Sequence, residues 1–470
     1  MDPILNTPYP ARAHAKAAAA VLKQKIPNLT SGLIYLESTK EVIGEDDDHP
    51  VPFRQRRNFY YLTGCDLHDS YVTYDLSTEK LTLYIPPLDA EEVMWMGLPV
   101  SPEEALQKYD VDEVRTTEDV TDLIDKITTE GTVPVFTIKE QVSNTKLLET
   151  LETINTKALV KEANLQSILE ELRTVKDKYE VALIRHANKI STLAHETLMA
   201  QISTLSTEQQ AEGLFTGICI QQGAPKQAYH GIFAAGEAAA TLHYVHNNKP
   251  FDNKNIILVD AGAEFRNYAS DITRCYPIKG EFSPESLAIY KLVLEMQNRT
   301  ISELKAGIRW EDLHLLAHRV LIEGLQKIGI FKSEFSVDEI LESRVSCAFL
   351  PHGLGHFLGM DTHDKAGKLP GHKSENDTDP IFKYLRIRRT LPVRSVVTIE
   401  PGCYFCPFIV NPYLENEKYG KYVDKEVLSK YWAVGGVRIE DNLLVLEEGS
   451  ENLTDTKKSV EQVLKVVRGE

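Results

Sequence analysis

The chain has 470 residues, of which 42% are hydrophobic and 26% charged, and carries a formal net charge of −17. That is too long for one ordinary core and too acidic for a nucleic-acid partner, since phosphate binding is driven by Lys and Arg. No apolar stretch approaches the roughly 18 residues of a membrane span, and six cysteines are too few for a disulfide scaffold.

The alanine-rich run Ala11–Leu22 is interrupted by Arg12, His14 and Lys16, which predicts an amphipathic helix rather than the apolar core of a signal peptide. A cytoplasmic protein without a membrane partner is therefore expected. Leu29–Ser38 is strand-like, and FYYLTG (Phe59–Gly64) follows a basic loop. Alternation over Tyr71–Asp75 and Leu81–Ile85 predicts a hairpin turning at Ser77–Lys80. Helical segments at Pro102–Tyr109 and Thr117–Lys126 and a short β unit at Val133–Ile138 complete an α/β region. From Leu165 to Gln201 there is neither Gly nor Pro. Leu172, Val175, Tyr179, Leu183, Ala187, Ile190, Ala194 and Leu198 recur there at spacings of three or four, predicting one long helix. The domain boundary is placed just before it, giving domains 1–160 and 161–470 to within about ten residues. Downstream, Ser283-Pro284 starts a helix that Gly307 stops, and a second runs from Trp310 to Lys327, ending at Gly329. Asp364–Ile381 reads as an exposed connection.

Chemistry concentrates in the C-terminal half. Asp260, Asp271, His356, Glu400 and Glu440 lie in ILVDAGA, ASDIT, PHGLGHFLG, TIEPG and GVRIED. Four carboxylates and one imidazole suit two divalent cations of the Mn, Zn or Co type better than Cys-based structural zinc. Carboxylates bridge, so five side chains suffice for ions about 3.5–4 Å apart, the spacing of two-metal hydrolases. Two apolar strands joined by a turn through Glu264–Ala269, with Asp260 opposite Asp271, would put both carboxylates on one face. Asp260 alone, before Ala-Gly, reads as an ordinary turn residue; the pair favours a cation, because aspartate is depleted in strands. His352 and His356 are four apart, but Gly353, Leu354 and Gly355 argue against a zinc helix and for a tight turn bringing backbone close to a metal. His356 is the expected ligand, with His352 and His363 left to touch substrate. Glu400 ends SVVTIE, where Pro401-Gly402 turns the chain. Arg438, Glu440 and Asn442 share one strand face. Arg438 reads either as a cation orienting the acidic cluster or as part of a solvated edge salt bridge. Cys403 and Cys406 form an isolated C-x-x-C, read as small strand residues in a reducing compartment.

Together these segments resemble the proline-specific pita-bread metallopeptidases, the prolidase and aminopeptidase P family. FRQRRNFYYLTG (Phe53–Gly64) is similar to a signature of that family's N-terminal half, and Trp95-Met96-Gly97 to a prolidase loop. Glu171–Ala187 resembles the helix opening the catalytic domain, and Tyr229–Tyr244 the segment with a substrate-contacting histidine, here His243. The resemblance implies an α/β (α+β) fold, with a creatinase/prolidase-type N-terminal domain followed by a pita-bread catalytic domain. It implies two divalent metal ions per subunit, manganese first among them. In that scheme Asp260 chelates one ion, His356 and Glu400 hold the other, Asp271 and Glu440 bridge, and a hydroxide shared by both is the nucleophile. Glu400 relays a proton to the leaving proline nitrogen, while His243 and His363 hold the scissile carbonyl and stabilise the oxyanion. His352 lines the proline pocket, and Arg386, with Arg388 as the alternative, reads a free substrate carboxylate. Arg438 is grouped with these substrate-binding residues.

The implied activity is hydrolysis of the bond between an N-terminal residue and a penultimate proline, in a peptide or dipeptide. A homodimer is implied, with the N-terminal domain helping to close the site. Arg386 and the Trp95 loop lean towards the alternative of a strict Xaa-Pro dipeptidase. A non-catalytic pita-bread binding protein is a further alternative, but such proteins typically lose several ligands and this chain keeps all five. Lys365-Ala366-Gly367 after His363-Asp364 departs from the family's usual Val-Gly, which puts the rim of the pocket in question.

Overall fold

The structure, a computed structural model, describes residues 1–130, 133–149, 151, 163–369, 371–372 and 375–470. It divides into two compact units, Met1–Arg173 and Thr174–Glu470. The boundary expected between residues 160 and 161 lies outside the described residues.

The first unit is built on β1 (Leu33–Glu37), β2 (Tyr71–Asp75), β3 (Lys80–Ile85), β4 (Glu113–Thr116) and β5 (Val135–Phe136), ordered β4-β3-β2-β1-β5. The β2–β3 hairpin forms as the alternation predicts, with Tyr71 opposite Tyr84 and Asp75 opposite Lys80. Asp75 closes its turn by accepting from the backbone of Ser77 and Thr78. β5 joins β1 in parallel, and β4 joins β3 in parallel. The helices are α1 (Ala11–Lys25), α2 (Arg57–Thr63), α3 (Ala90–Met96), α4 (Pro102–Lys108) and α5 (Glu118–Glu130). FYYLTG thus falls in α2, a fully buried helix closed by Gly64 in the left-handed region. Val120, Ile124 and Ile127 of α5 pack on Leu33, Tyr35, Tyr84 and Val135 of the sheet, each fully buried aliphatic side chain contributing roughly 1.5–3 kcal/mol.

The single helix expected over Leu165–Gln201 is two, α6 (Leu165–Thr174) and α7 (Lys178–Gln201). Asp177 accepts from Glu180 N and completes a capping box, which starts a new helix although the apolar spacing runs on. Val175, counted in that stripe, stands 42% exposed in the break.

After α7 come α8 (Glu208–Gln221), α9 (Pro284–Ser302) and α10 (Trp310–Lys327). Ser283 caps α9 as expected, but the helix stops at Ser302, before Gly307. The strands are β6 (Lys226–Gln227), β7 (Ile232–Ala235), β8 (Ile256–Asp260), β9 (Ala263–Phe265), β10 (Tyr268–Ala269) and β11 (Thr273–Pro277). They continue with β12 (Val396–Ile399), β13 (Gly402–Tyr404), β14 (Gly436–Arg438), β15 (Asp441–Val445) and β16 (Ser450–Asn452). They form sheets β11-β8-β7, β10-β9-β6, β12-β15-β16 and β13-β14. The turn expected at Glu264–Ala269 is itself a hairpin, β9–β10, tightened onto Arg266 and Asn267 at positive φ. A bridge from Thr273 to Glu440 ties β11 to the junction of β14 and β15. The described residues between 364 and 380 are exposed or half-buried, as expected of a connection. Among the described residues no helix is long and apolar enough to cross a membrane.

Candidate metal centre and active site

Strand ends deliver the acidic groups. Asp260 ends β8, Glu400 follows β12, and Glu440 lies between β14 and β15. Asp260 pairs with Thr273 rather than with Asp271, correcting the expected register. Asp271 therefore sits two residues earlier, diagonal to Asp260, and a period of two still leaves both carboxylates on one face. The hydroxyl of Tyr229 lies 2.6 Å from Asp260 Oδ1 and 2.6 Å from Asp271 Oδ1.

His356 comes from a loop that runs along β12. Thr398 N donates to His356 O and Glu400 N to Leu354 O, both at 2.9 Å. The segment is not helical, as Gly353 and Gly355 predicted. The close approach that the structure shows is to β12: a Cβ on Gly355 would stand 2.1 Å from Thr398 O. His356 Nε2 reaches Asp271 Oδ2 at 3.3 Å and Glu400 Oε1 at 3.5 Å. Ligand atoms of Asp271, His356 and Glu440 all lie within 4.8 Å of one another. All five expected ligands thus meet in one cluster.

Arg438 is buried, not part of a solvated edge. Its NH2 donates to Asp260 Oδ2 at 2.5 Å, NH1 to Tyr404 Oη at 2.8 Å and Nε to Thr273 Oγ1 at 3.1 Å. Thr273 Oγ1 in turn donates to Glu440 Oε2 at 2.6 Å. Tyr229, Thr273 and Tyr404 are the residues that sequence reasoning missed. Tyr229 opens a segment already singled out, but no local pattern tells that its hydroxyl faces two aspartates.

Burial first, and mutual repulsion second, raises Glu440 well above the ordinary carboxylate range; burial likewise raises Asp260, against the pull of Arg438, and takes Glu400 to about 7. For Asp271 burial is outweighed by the hydrogen bond and charge of His356, and its carboxyl drops below the usual value. His352 and His363 are pushed down to about 3, by burial first, then by Arg438 and by His356 respectively. His352 joins Tyr404 Oη through Nε2 at 2.8 Å and Gly353 O through Nδ1 at 2.8 Å. The His363 ring meets that of His356 edge-on, with centroids 4.4 Å apart. His243 is exposed and close enough for its charge to act on both His352 and His363. Arg386 is exposed and acts on His363 in the same way. Arg388, the alternative to it, is buried and committed to Glu311 at 3.2 Å and Asp377 at 2.5 Å.

The donor set fits divalent cations. Among the described residues Glu440 Oε1 is buried without a hydrogen-bond partner, and an orphaned buried carboxylate oxygen is costly unless a cation meets it. One tyrosine proton cannot saturate two carboxylates, and Arg438 is a single positive charge among four acids.

Residues 182–447, more than half of the chain, match the model of metallopeptidase family M24, and residues 14–136 match the aminopeptidase P N-terminal domain. The chain belongs to metallopeptidase family M24. Among curated relatives of this M24 protein, one named probable Xaa-Pro aminopeptidase from Tuber melanosporum is 52% identical over 469 residues, covering 100% of this chain and 99% of the relative. Another so named, from Pyrenophora tritici-repentis, is 50% identical over 466 residues, covering 99% and 98%. Among solved structures, Pseudomonas aeruginosa aminopeptidase PepP superposes with a TM-score of 0.79 at 28% identity, covering 98% of this chain and 99% of that one. A variant of Escherichia coli aminopeptidase P in complex with substrate shares the fold, with a TM-score of 0.79 at 24% identity and the same coverage. The M24 chain therefore has the expected architecture, an N-terminal α/β domain followed by a pita-bread domain.

Proposed function

We propose that this M24 protein is a metal-dependent aminopeptidase that hydrolyses the bond between an N-terminal residue and a penultimate proline. The observation that carries this reading is the convergence of Asp260, Asp271, His356, Glu400 and Glu440 around an unpartnered buried carboxylate oxygen. Full-length relatives at about half identity named Xaa-Pro aminopeptidases supply the substrate class. Those names do not favour the strict dipeptidase towards which Arg386 and the Trp95 loop lean.

The five side chains would hold two divalent ions, and manganese heads the candidates because the donors are mainly hard oxygens. When bound, such ions polarise a carbonyl and make water a nucleophile near neutral pH. Glu400, partly open to solvent, is the group we assign to take a proton from water and pass it to the leaving proline nitrogen. Neutral His363 presents one N–H donor, and with His243 it is assigned to the scissile carbonyl and the oxyanion that develops there. His352, anchored by Tyr404, is assigned to the proline ring. Arg438 has its guanidinium committed to Asp260, Thr273 and Tyr404, which supports a role in orienting the carboxylates beside bound substrate.

A cytoplasmic location is supported by six free cysteines. A homodimer is supported by the prolidase-like Trp95 loop, where Met94, Trp95, Met96 and Leu98 are each at least 70% exposed. The deciding experiment is metal analysis of the purified protein, with hydrolysis of Ala-Pro and longer Xaa-Pro peptides followed through chelation and Mn2+ re-addition. Activity on both that disappears and returns is expected; activity surviving complete chelation overturns the assignment.

A further inference from the structure

Glu400 and Glu440 both lie just off the ends of strands: Ile399 with Asp441 is the last pair of β12 with β15, and beyond it Glu400 N donates to Leu354 O and Glu440 N to Thr273 O. A buried amide adds a link between these two segments. Gln297, on α9 and 0% exposed, donates from Nε2 to Ile399 O at 3.2 Å and to Ile439 O at 3.1 Å. Those two carbonyls belong to the residues immediately before Glu400 and Glu440. One planar NH2 group therefore spans the main chain of both glutamates.

The other end of the amide is fixed as well. Gln297 Oε1 accepts from Lys458 Nζ at 2.8 Å, and Lys458 also pairs with Asp441. With a cation on one side and two carbonyls on the other, only one orientation of the amide satisfies every group. Asp441 pairs with Arg274 at 2.8 Å, and both side chains are 0% exposed. Arg274 uses its guanidinium in full: Nε to Lys457 O, NH1 to Thr273 O and Glu440 O, NH2 to Asp441 Oδ1 and Thr456 O. These contacts run to main chain and to one another, so the group acts on the carboxylates only through the backbone that carries them.

We infer that Gln297 is a positioning residue that sets the separation of Glu400 and Glu440, with Lys458 holding its amide in register, and so governs how tightly the site grips divalent ions. This rests on the metallopeptidase reading above. A filler of the α9 interface would not need two donors aimed at two separate segments, the end of β12 and the link between β14 and β15.

The test is Gln297→Met, which keeps volume and removes both donors. Calorimetric titration of the metal-free protein with Mn2+ should show affinity lowered by about 10–100-fold, the usual cost of losing a group that orients ligands. kcat on a saturating Xaa-Pro peptide should fall while KM stays within about twofold, as expected when peptide contacts are untouched. A purely structural glutamine would lower the melting temperature and leave Mn2+ affinity alone; affinity within about twofold of wild type overturns the inference. Should Gln297→Met fail to fold, Lys458→Met and Lys458→Arg decide the matter. The arginine keeps a donor for Gln297 and should retain wild-type affinity, the methionine should lose about tenfold, and equal affinities overturn the inference. Wild-type protein that takes up no Mn2+ would overturn the functional reading itself, and the inference with it.

Discussion

Gly355→Ala should disable the site without touching a ligand. The added Cβ would stand 2.1 Å from Thr398 O, a backbone atom of β12, where ordinary contact begins near 3.4 Å. The loop and the strand must therefore separate by about 1.3 Å, since packed interiors do not absorb such overlaps. The separation falls between Gly355 and the strand that leads into Glu400, and it breaks the hydrogen bonds Thr398 N to His356 O and Glu400 N to Leu354 O. Two ligands thus move apart together. Overpacking of this size costs about 1–3 kcal/mol of stability, and misplacing reacting groups by about 1 Å costs about 100-fold in rate, or roughly 2.7 kcal/mol of barrier. The assay is kcat/KM on an Xaa-Pro peptide at saturating Mn2+, with the melting temperature measured alongside. Activity within twofold of wild type, in a protein with two bound ions, would refute the packing argument.

Three further expectations follow from the same geometry. Tyr229→Phe removes the hydroxyl shared by Asp260 and Asp271 and should weaken Mn2+ binding by about 10–100-fold with little change in fold; unchanged metal affinity would count against its role. In the metal-free protein Glu400 sits at about 7, raised from 4.5 by burial. A carboxyl raised in the fold contributes stability that is full below its unfolded value and lost as pH rises through the folded one. Metal-free stability should therefore decline between about pH 4.5 and 7, by up to about 3 kcal/mol. His356, raised by Asp271 and Glu400 despite its burial, tilts the curve the same way above 6.5. A metal-free melting temperature that climbs with pH across that range is the contrary result. Finally, Lys176 and Asp364 form an ion pair with side chains only 1% and 2% exposed, directly after His363. Lys176→Met should cost about 3–5 kcal/mol by removing the cation of a buried pair; urea midpoints that do not differ between wild type and the variant would contradict this.

Local patterns went far in this chain because the ligand segments carry their own punctuation. Glu400 is followed by Pro-Gly, His356 lies among glycines, and Tyr71–Ile85 alternates with period two; each of these features survives in the fold. The start of α9 at Ser283-Pro284 and the span of α10 were equally legible, since caps and breakers act over a few residues. The helix over 165–201 misled because apolar spacing of three and four continues across the break, while the signal that splits it, Asp177 with Glu180, is a single capping box.

The amino-acid sequence by itself determined the class of chemistry: four carboxylates, one imidazole and a set of histidines in segments similar to those of a known metallopeptidase family. Tertiary structure alone decided the diagonal register of Asp260 and Asp271, the hydroxyl of Tyr229 between them, the commitment of the buried Arg438 and Arg388 to neighbouring acids, and the amide of Gln297 across two distant segments. The physical reason is range. Caps, turns and alternation are written in neighbouring residues, whereas a hydrogen bond between groups over a hundred positions apart, such as Gln297 with Ile399 and Ile439, exists only once packing has brought their elements together.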